Sequence, residues 1–154
     1  MTMPSGTTPL ARKQLIALFI KEIVVGGRLE LADEIFATDF CWPQFGLRGP
    51  DGVRSWLTAF RKAFPDISET VQEQVAEGDA VVTKVEVTGT QVGPFLGLPP
   101  SGRQATFTVV GIDRFRGEKV VEREAYFDMV DLMRQLGHQT LVLPAAAPAT
   151  RESG

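Results

Sequence analysis

Apolar side chains at Ile16, Phe19, Ile20, Ile23 and Val24 recur at i, i+3, i+4, i+7 and i+8, the stripe of an amphipathic helix. Thr8-Pro9 supplies a capping hydroxyl and a proline for the first helical position, and Gly26-Gly27 ends the run. A shorter helix is predicted next, with Leu29, Ala32, Ile35 and Phe36 on one side. The aromatic, proline-broken segment Asp39-Phe40-Cys41-Trp42-Pro43 reads as a short strand or sheet edge. Gly49-Pro50-Asp51-Gly52 opens a third helix, whose Val53, Trp56, Leu57, Phe60 and Phe64 form one stripe before Pro65 stops it.

Beyond Pro65 the hydrophobic period shortens from about 3.6 to about 2. Residues 67–77 alternate loosely and Gly78-Asp79 makes a turn. Residues 80–90 then set Val81, Val85 and Val87 on one face, with Lys84, Glu86 and Thr88 on the other. After a Gly/Pro-rich loop at 93–103, residues 104–116 and 119–127 predict a hairpin turning at Arg116-Gly117-Glu118. Met129, Leu132, Met133 and Leu136 close the pattern with a short helix ending at Gly137. Helices followed by antiparallel strands and a closing helix predict an α+β fold, with one domain spanning residues 8–137. Residues 1–7 and 138–154 lack this periodicity and are expected to be mobile.

Composition narrows the chemistry. The chain of 154 residues contains one His, one Cys and one Tyr. A zinc site built from nitrogen and sulfur ligands is therefore excluded within one chain, as is an intrachain disulfide. A Ser–His–Asp or Cys–His mechanism would have to use His138, in a Gly-His-Gln step beyond the last predicted helix. Acid–base chemistry is thus expected from carboxylates and Tyr126. A net charge of −3 with scattered basic residues excludes a nucleic-acid footprint. The N-terminal MTMPSGTTP shows no signal-peptide pattern, and apolar runs are far too short for a membrane span. A cytoplasmic location with no membrane partner is the expectation.

Alternate residues of a strand share a face. Glu122, Glu124, Tyr126 and, if the strand persists, Asp128 therefore align opposite Val121, Arg123, Ala125 and Phe127. If the acidic face looks into an apolar cavity, burial and mutual repulsion raise its carboxyl pKa values toward neutrality, and Tyr126 becomes a donor for a developing enolate. The alternative is a solvated sheet face, with Lys84, Glu86 or Arg114 as cross-strand partners and Asp128 as a helix cap. Trp42, Phe45, Trp56, Phe60, Phe95 and Phe107 are individually core candidates and together enough to line a pocket for a polycyclic or polyene ligand. The 93–103 loop, with Phe95 and Leu98, is the expected cavity mouth. Its glycines lack the strand-and-helix setting of a nucleotide site. Cys41 is expected to pack as a small hydrophobe.

Four stretches carry a family resemblance. They are Gly49-Pro50-Asp51-Gly52-Val53 with Ala63-Phe64-Pro65-Asp66, Val87-Thr88-Gly89-Thr90, the loop from Gly93 through Leu98-Pro99-Pro100-Ser101-Gly102 to Arg103, and Glu122 through Asp128 to Arg134-Gln135-Leu136-Gly137. In that order, over roughly residues 12–137, the sequence resembles the SnoaL-like polyketide cyclases of the nuclear-transport-factor-2-like superfamily. The resemblance implies a cone-shaped curved sheet wrapped around N-terminal helices. It also implies a homo-oligomeric enzyme, most simply a dimer, working without a cofactor or metal. Family members close rings by intramolecular aldol chemistry, and relatives open epoxides or close rings by pericyclic steps. Two family histidines are replaced, one by Gln91 and the other within Arg123-Glu124, whereas Glu122 and Asp128 match. The resulting expectation is a cofactor-independent cyclase acting on a hydrophobic polyketide-type intermediate. Asp128, Glu124, Glu122 and Tyr126 are its candidate catalytic groups, and Trp42, Phe45, Trp56, Phe95, Leu98, Glu86 and Gln91 its candidate substrate contacts. The alternatives are a pericyclic or epoxide-opening cyclase without proton abstraction, and a non-catalytic binding or dimerisation module.

Overall fold

The computed structural model describes residues 3–138; the expectations of mobility at residues 1–2 and 139–154 lie outside the described residues. Helix α1, Pro9–Leu18, starts where Thr8 accepts a hydrogen bond from the Ala11 amide at 3.1 Å. The apolar stripe continues into a π-helical segment, Phe19–Val25, which buries Phe19, Ile20, Ile23 and Val24. Widening the helix by one residue per turn is uncommon and is often found beside functional sites. Arg61 closes this segment from another element, donating to the Val24 and Val25 carbonyls at 2.7 Å each. Its guanidinium lies against Gly27 (φ +74°), where a Cβ would stand 2.7 Å from Arg61 Nη2.

The second predicted helix is shorter than its pattern suggested. A 3-10 turn at Leu29–Leu31 leads into a single α turn, α2, at Ala32–Ile35, and Phe36 already begins strand β1, Phe36–Trp42. A 3-10 turn at Pro43–Phe45 and the two-residue strand β2, Leu47–Arg48, precede α3, Gly49–Ala63. Helix α3 buries Val53, Leu57 and Phe60 of the predicted stripe, and Ala63 with them. Strands β3 (Ser68–Glu77), β4 (Ala80–Thr90), β5 (Gln104–Arg116) and β6 (Lys119–Phe127) follow, then α4 at Met129–Gln135.

The strands form one curved six-stranded sheet in the order β2-β1-β6-β5-β4-β3. All neighbours are antiparallel except β1 and β6, which run parallel and were not separable from the antiparallel set by periodicity. Register shifts at 71–73 in β3 and at 120–122 in β6 mark bulges; bulges bend and twist a strand, as wrapping around the helices requires.

The segments quoted for the family resemblance are fastened to one another. Asp66 accepts from the Thr90 amide and hydroxyl, both at 2.7 Å, tying the end of α3 to the end of β4. Gln91 is fully buried, and its backbone bonds Arg103 and Gly102 across the base of the 93–103 loop. Gln135 clasps the backbone of Thr106 from both sides at 2.9 Å. The Arg103 guanidinium lies over Gly137 (φ +75°), at a position where a Cβ would be 2.6 Å away. These residues fix strand ends, loop and α4 together.

Candidate active site

The concave face of the sheet, closed by the π-helical segment and α3, encloses an apolar cavity. Its floor is set by the antiparallel register. Val71, Val85, Val109 and Phe127 form one cross-strand row, while Thr83, Gly111 and Ala125 continue the next. Phe19, Ile20 and Val24 cover it from the π-helical segment, and Trp56, Leu57 and Phe60 from α3. Trp42, Phe45 and Phe95 complete an aromatic wall. Phe45 stacks on Trp56 with ring centroids 4.3 Å apart, and Trp42 meets Phe45 edge-on at 5.1 Å. The Gln44 side-chain oxygen anchors this wall to β6, accepting from Trp42 Nε1 at 3.2 Å and from the Ala125 amide at 2.7 Å. The space open to the centre of a water-sized sphere is about 70 Å³, several times what one water needs.

Three ionisable groups belong to this interior. Arg123 lines the cavity and is 8% exposed; Asp113, its neighbour across the β5–β6 register, is 0% exposed. Arg123 Nη1 donates to both Asp113 carboxylate oxygens at 2.7 Å. The guanidinium carbon lies 5.2 Å from the Phe19 ring centroid and 5.4 Å from that of Trp42, a cation–π arrangement that compensates part of its desolvation. Burial pushes the Asp113 carboxyl upward against the pull of Arg123. Gly111 lies under the guanidinium, where a Cβ would stand 2.8 Å from Nη2.

Glu69 enters from β3. The residue is half-buried, its carboxyl lodged among the apolar cavity walls. Burial pushes its pKa up to about 7, and the Arg123 charge opposes that rise. A carboxyl titrating near neutral pH is present in both protonation states, as a general acid–base group requires. Among the described residues, no cluster of three or more His, Cys, Asp or Glu has the arrangement of a metal site.

The expected acidic face lies on the other side of β6. Arg123, Ala125 and Phe127 line the cavity. Glu122, Glu124 and Tyr126 alternate with them and point away from it. Tyr126 is 51% exposed and donates to Glu124 at 2.5 Å. The Glu124 hydrogen bond raises the Tyr126 pKa. Of the two alternatives for this face, these three residues therefore take the one turned away from the cavity, not the inward one that their candidate catalytic role requires. The physical reason is that Arg123–Phe127 is the more apolar phase, and Arg123 enters with its countercharge supplied by β5. Asp128 is exposed and caps α4, accepting from the Asp131 amide at 2.9 Å.

Of the expected substrate contacts, Trp42, Phe45, Trp56 and Phe95 line the cavity. Leu98 packs beside the core and offers its carbonyl to Gln91 Nε2 at 3.1 Å. The Gln91 Oε1 atom faces His138 Nε2 at 3.3 Å, in the base of the loop rather than the cavity. Glu86 is on the outer face of β4, near Gln72. Sequence reasoning missed Glu69 and Asp113. Each occupies the apolar phase of its strand, between Ile67 and Val71 and between Gly111 and Phe115 respectively. That interruption is the signal by which they were findable.

The sequence profile of the SnoaL-like polyketide cyclases matches residues 14–136. No curated protein matches the chain. Among solved structures, TsrD from Streptomyces laurentii is 27% identical with a TM-score of 0.77, over 84% of this chain and 97% of that one. IdmH from Streptomyces antibioticus, proposed to be a polyketide cyclase, is 30% identical with a TM-score of 0.69, over 82% and 98%. AclR from Streptomyces galilaeus, proposed to be a hydroxylase, is 27% identical with a TM-score of 0.71, over 84% and 98%. The fold is the α+β cone of the nuclear-transport-factor-2-like, ketosteroid-isomerase-like proteins.

Proposed function

The chain belongs to the SnoaL-like polyketide cyclase family, and from that premise we propose that it closes a ring in a small hydrophobic polyketide-type intermediate, with Glu69 as the proton carrier. The supporting observation is the Glu69 carboxyl lining a mostly apolar, aromatic-walled cavity, where burial pushes its pKa up to about 7.

In this reading the cavity folds a flexible chain into a reactive conformer, replacing the conformational search of an intramolecular reaction with prior positioning. The Glu69 carboxylate takes a proton from the carbon between or beside carbonyls. The resulting enolate carbon attacks a second carbonyl carbon of the same molecule, forming the new C–C bond. The carbonyl π-bond opens to an alkoxide, which recovers the proton from Glu69. Proton and charge return to their starting places, so the cycle needs no external reagent. A positioned acid–base group contributes on the order of 10² to 10⁴ in rate. Glu122, Glu124, Tyr126 and Asp128 have no part in this step.

A purely templating cavity, closing a ring without proton transfer, would also use the aromatic wall, but it would leave the buried Glu69 carboxyl without a purpose. A non-catalytic binder of apolar ligands would be burdened by the same group. The test is a producing strain that lacks the chain. It should accumulate an uncyclised precursor, wild-type sequence should restore the product, and Glu69→Gln should not. Full restoration by Glu69→Gln, with Phe60→Trp blocking it, would leave the templating reading standing and remove the acid–base one. No accumulation of any open-chain precursor would remove the cyclase reading itself.

A further inference from the structure

The cavity contains a second polar feature that the proton-transfer scheme does not use. Asp113 takes both of its hydrogen bonds from Arg123 Nη1. The other edge of the guanidinium, formed by Nε and Nη2, is not engaged by that carboxylate. Arg123 Nε is buried and has no hydrogen-bond partner, although more than nine-tenths of the residue is withdrawn from solvent. A buried donor without a partner is unusual in a folded protein and calls for an explanation. Phe19 and Trp42 hold the guanidinium plane in place. Gly111 makes room for the guanidinium itself, since a Cβ at that position would stand 2.8 Å from Nη2.

The geometry points to Arg123 as a receptor for a planar two-oxygen anion on the substrate, either a carboxylate or the enolate of a 1,3-dicarbonyl. The proposal rests on reading this cavity as a substrate site. Two coplanar oxygens facing the same way match the parallel donors of a guanidinium edge. Asp113 balances the arginine charge and fixes its orientation, so the free edge directs hydrogen bonds rather than acting as a loose positive charge. A substrate carrying such a group would be held at one end by Arg123, with its hydrocarbon body against Trp56, Phe45 and Phe95. This sets register along the chain, which an apolar wall alone cannot do.

The test is calorimetric titration of the full chain with two matched pairs of probes. One pair is 2-naphthoate and 2-naphthylmethanol; the other is 1-benzoylacetone and butyrophenone. Wild-type protein should prefer the two-oxygen member of at least one pair by on the order of tenfold to a hundredfold. Preference in the first pair assigns a carboxylate, and preference in the second an enolised dicarbonyl. Arg123→Lys keeps a cation for Asp113 but has no second donor edge, and should reduce the preference to within about threefold. The paired variant Asp113→Asn with Arg123→Met removes the buried charges together and should do the same if Arg123→Lys fails to fold. Equal affinity within both pairs, no binding of either two-oxygen probe at millimolar concentration, or a preference surviving in the folded variants would each overturn the proposal. Glu69→Gln separates the two readings. It should abolish ring closure while keeping the binding preference; ring closure retained in this variant fails the acid–base reading, and a lost preference fails the anion-receptor reading.

Discussion

Replacing Glu69 by Gln should change stability in a way that depends on pH with a defined sign. The folded-state pKa of Glu69 is about 7 against an ordinary value of 4.5. Between those values the folded protein binds more protons than the unfolded chain, so stability falls as pH rises through the window. At pH 4.5 the cost of burying this group is below about half a kcal/mol. By pH 8.5 the carboxyl is ionised in both states and the shift of roughly 2.5 units costs about 3 kcal/mol at 1.36 kcal/mol per unit. That figure is a ceiling, because the half-buried residue retains some solvent screening; about 1–3 kcal/mol is the expected range. Glutamine keeps the shape but carries no charge at either pH. Urea unfolding of both proteins at pH 4.5 and 8.5 isolates the difference, since every other group titrates alike in the two. Relative to wild type, Glu69→Gln should gain stability on going from pH 4.5 to 8.5, moving its relative midpoint by roughly 1 M for a slope of about 1–3 kcal/mol/M. A difference that stays constant with pH, or grows in favour of wild type, would refute the burial argument.

Three further outcomes follow from the same geometry. Gly111→Ala places a Cβ 2.8 Å from Arg123 Nη2, and because Asp113 pins that guanidinium, thermal or urea unfolding should show a loss of about 1–3 kcal/mol. Asp128→Ala should cost about 1 kcal/mol through loss of the α4 cap, whereas Asp128→Ser should restore most of it and leave turnover near wild type; turnover lost in a stable Ser variant would show a chemical role for the carboxylate. Hydrogen bonds from the Thr90 amide and hydroxyl hold the Asp66 pKa below its ordinary value, so its contribution is present above about pH 4 and lost as pH falls through the folded-state value. The stability gap between wild type and Asp66→Ala, followed by urea unfolding, should therefore narrow below pH 4.

The hydrophobic pattern carried most of the architecture because helix and strand periods reflect one-sided burial. The α3 stripe from Val53 to Phe60 and the alternation of Val81, Val85 and Val87 both proved to be core faces. Phe36 was assigned to a helix because its spacing from Ala32 suits one; only pairing with β6, a distant segment, pulls it into β1. The site was less legible for a related reason. Carboxylates at 122, 124 and 128 with Tyr126 among them draw attention to the polar face of β6, and alternation alone does not say which face looks inward. The charges that turn inward are isolated ones, Glu69 and Arg123 in the cavity lining and the buried Asp113 beside them, each breaking an otherwise apolar phase. Asp113 and Arg123 are tolerated there because the β5–β6 register sets them opposite each other, a long-range fact that neither strand contains. The motifs carrying the family resemblance are mainly joints between loop, strand ends and α4. They identify the scaffold while most of the candidate chemistry lies outside them.

We propose that proton transfer belongs to the inner carboxyl of β3 and not to the acids on the outer face of β6. This is tested most directly by giving purified protein the open-chain precursor accumulated by a strain lacking the chain, and comparing initial rates of ring closure. Glu69→Gln should lose on the order of 10² to 10⁴ in rate, while the combined Glu122→Gln, Glu124→Gln and Tyr126→Phe variant should stay within a few-fold of wild type. A fully active Glu69→Gln protein beside an inactive outer-face variant would contradict the account.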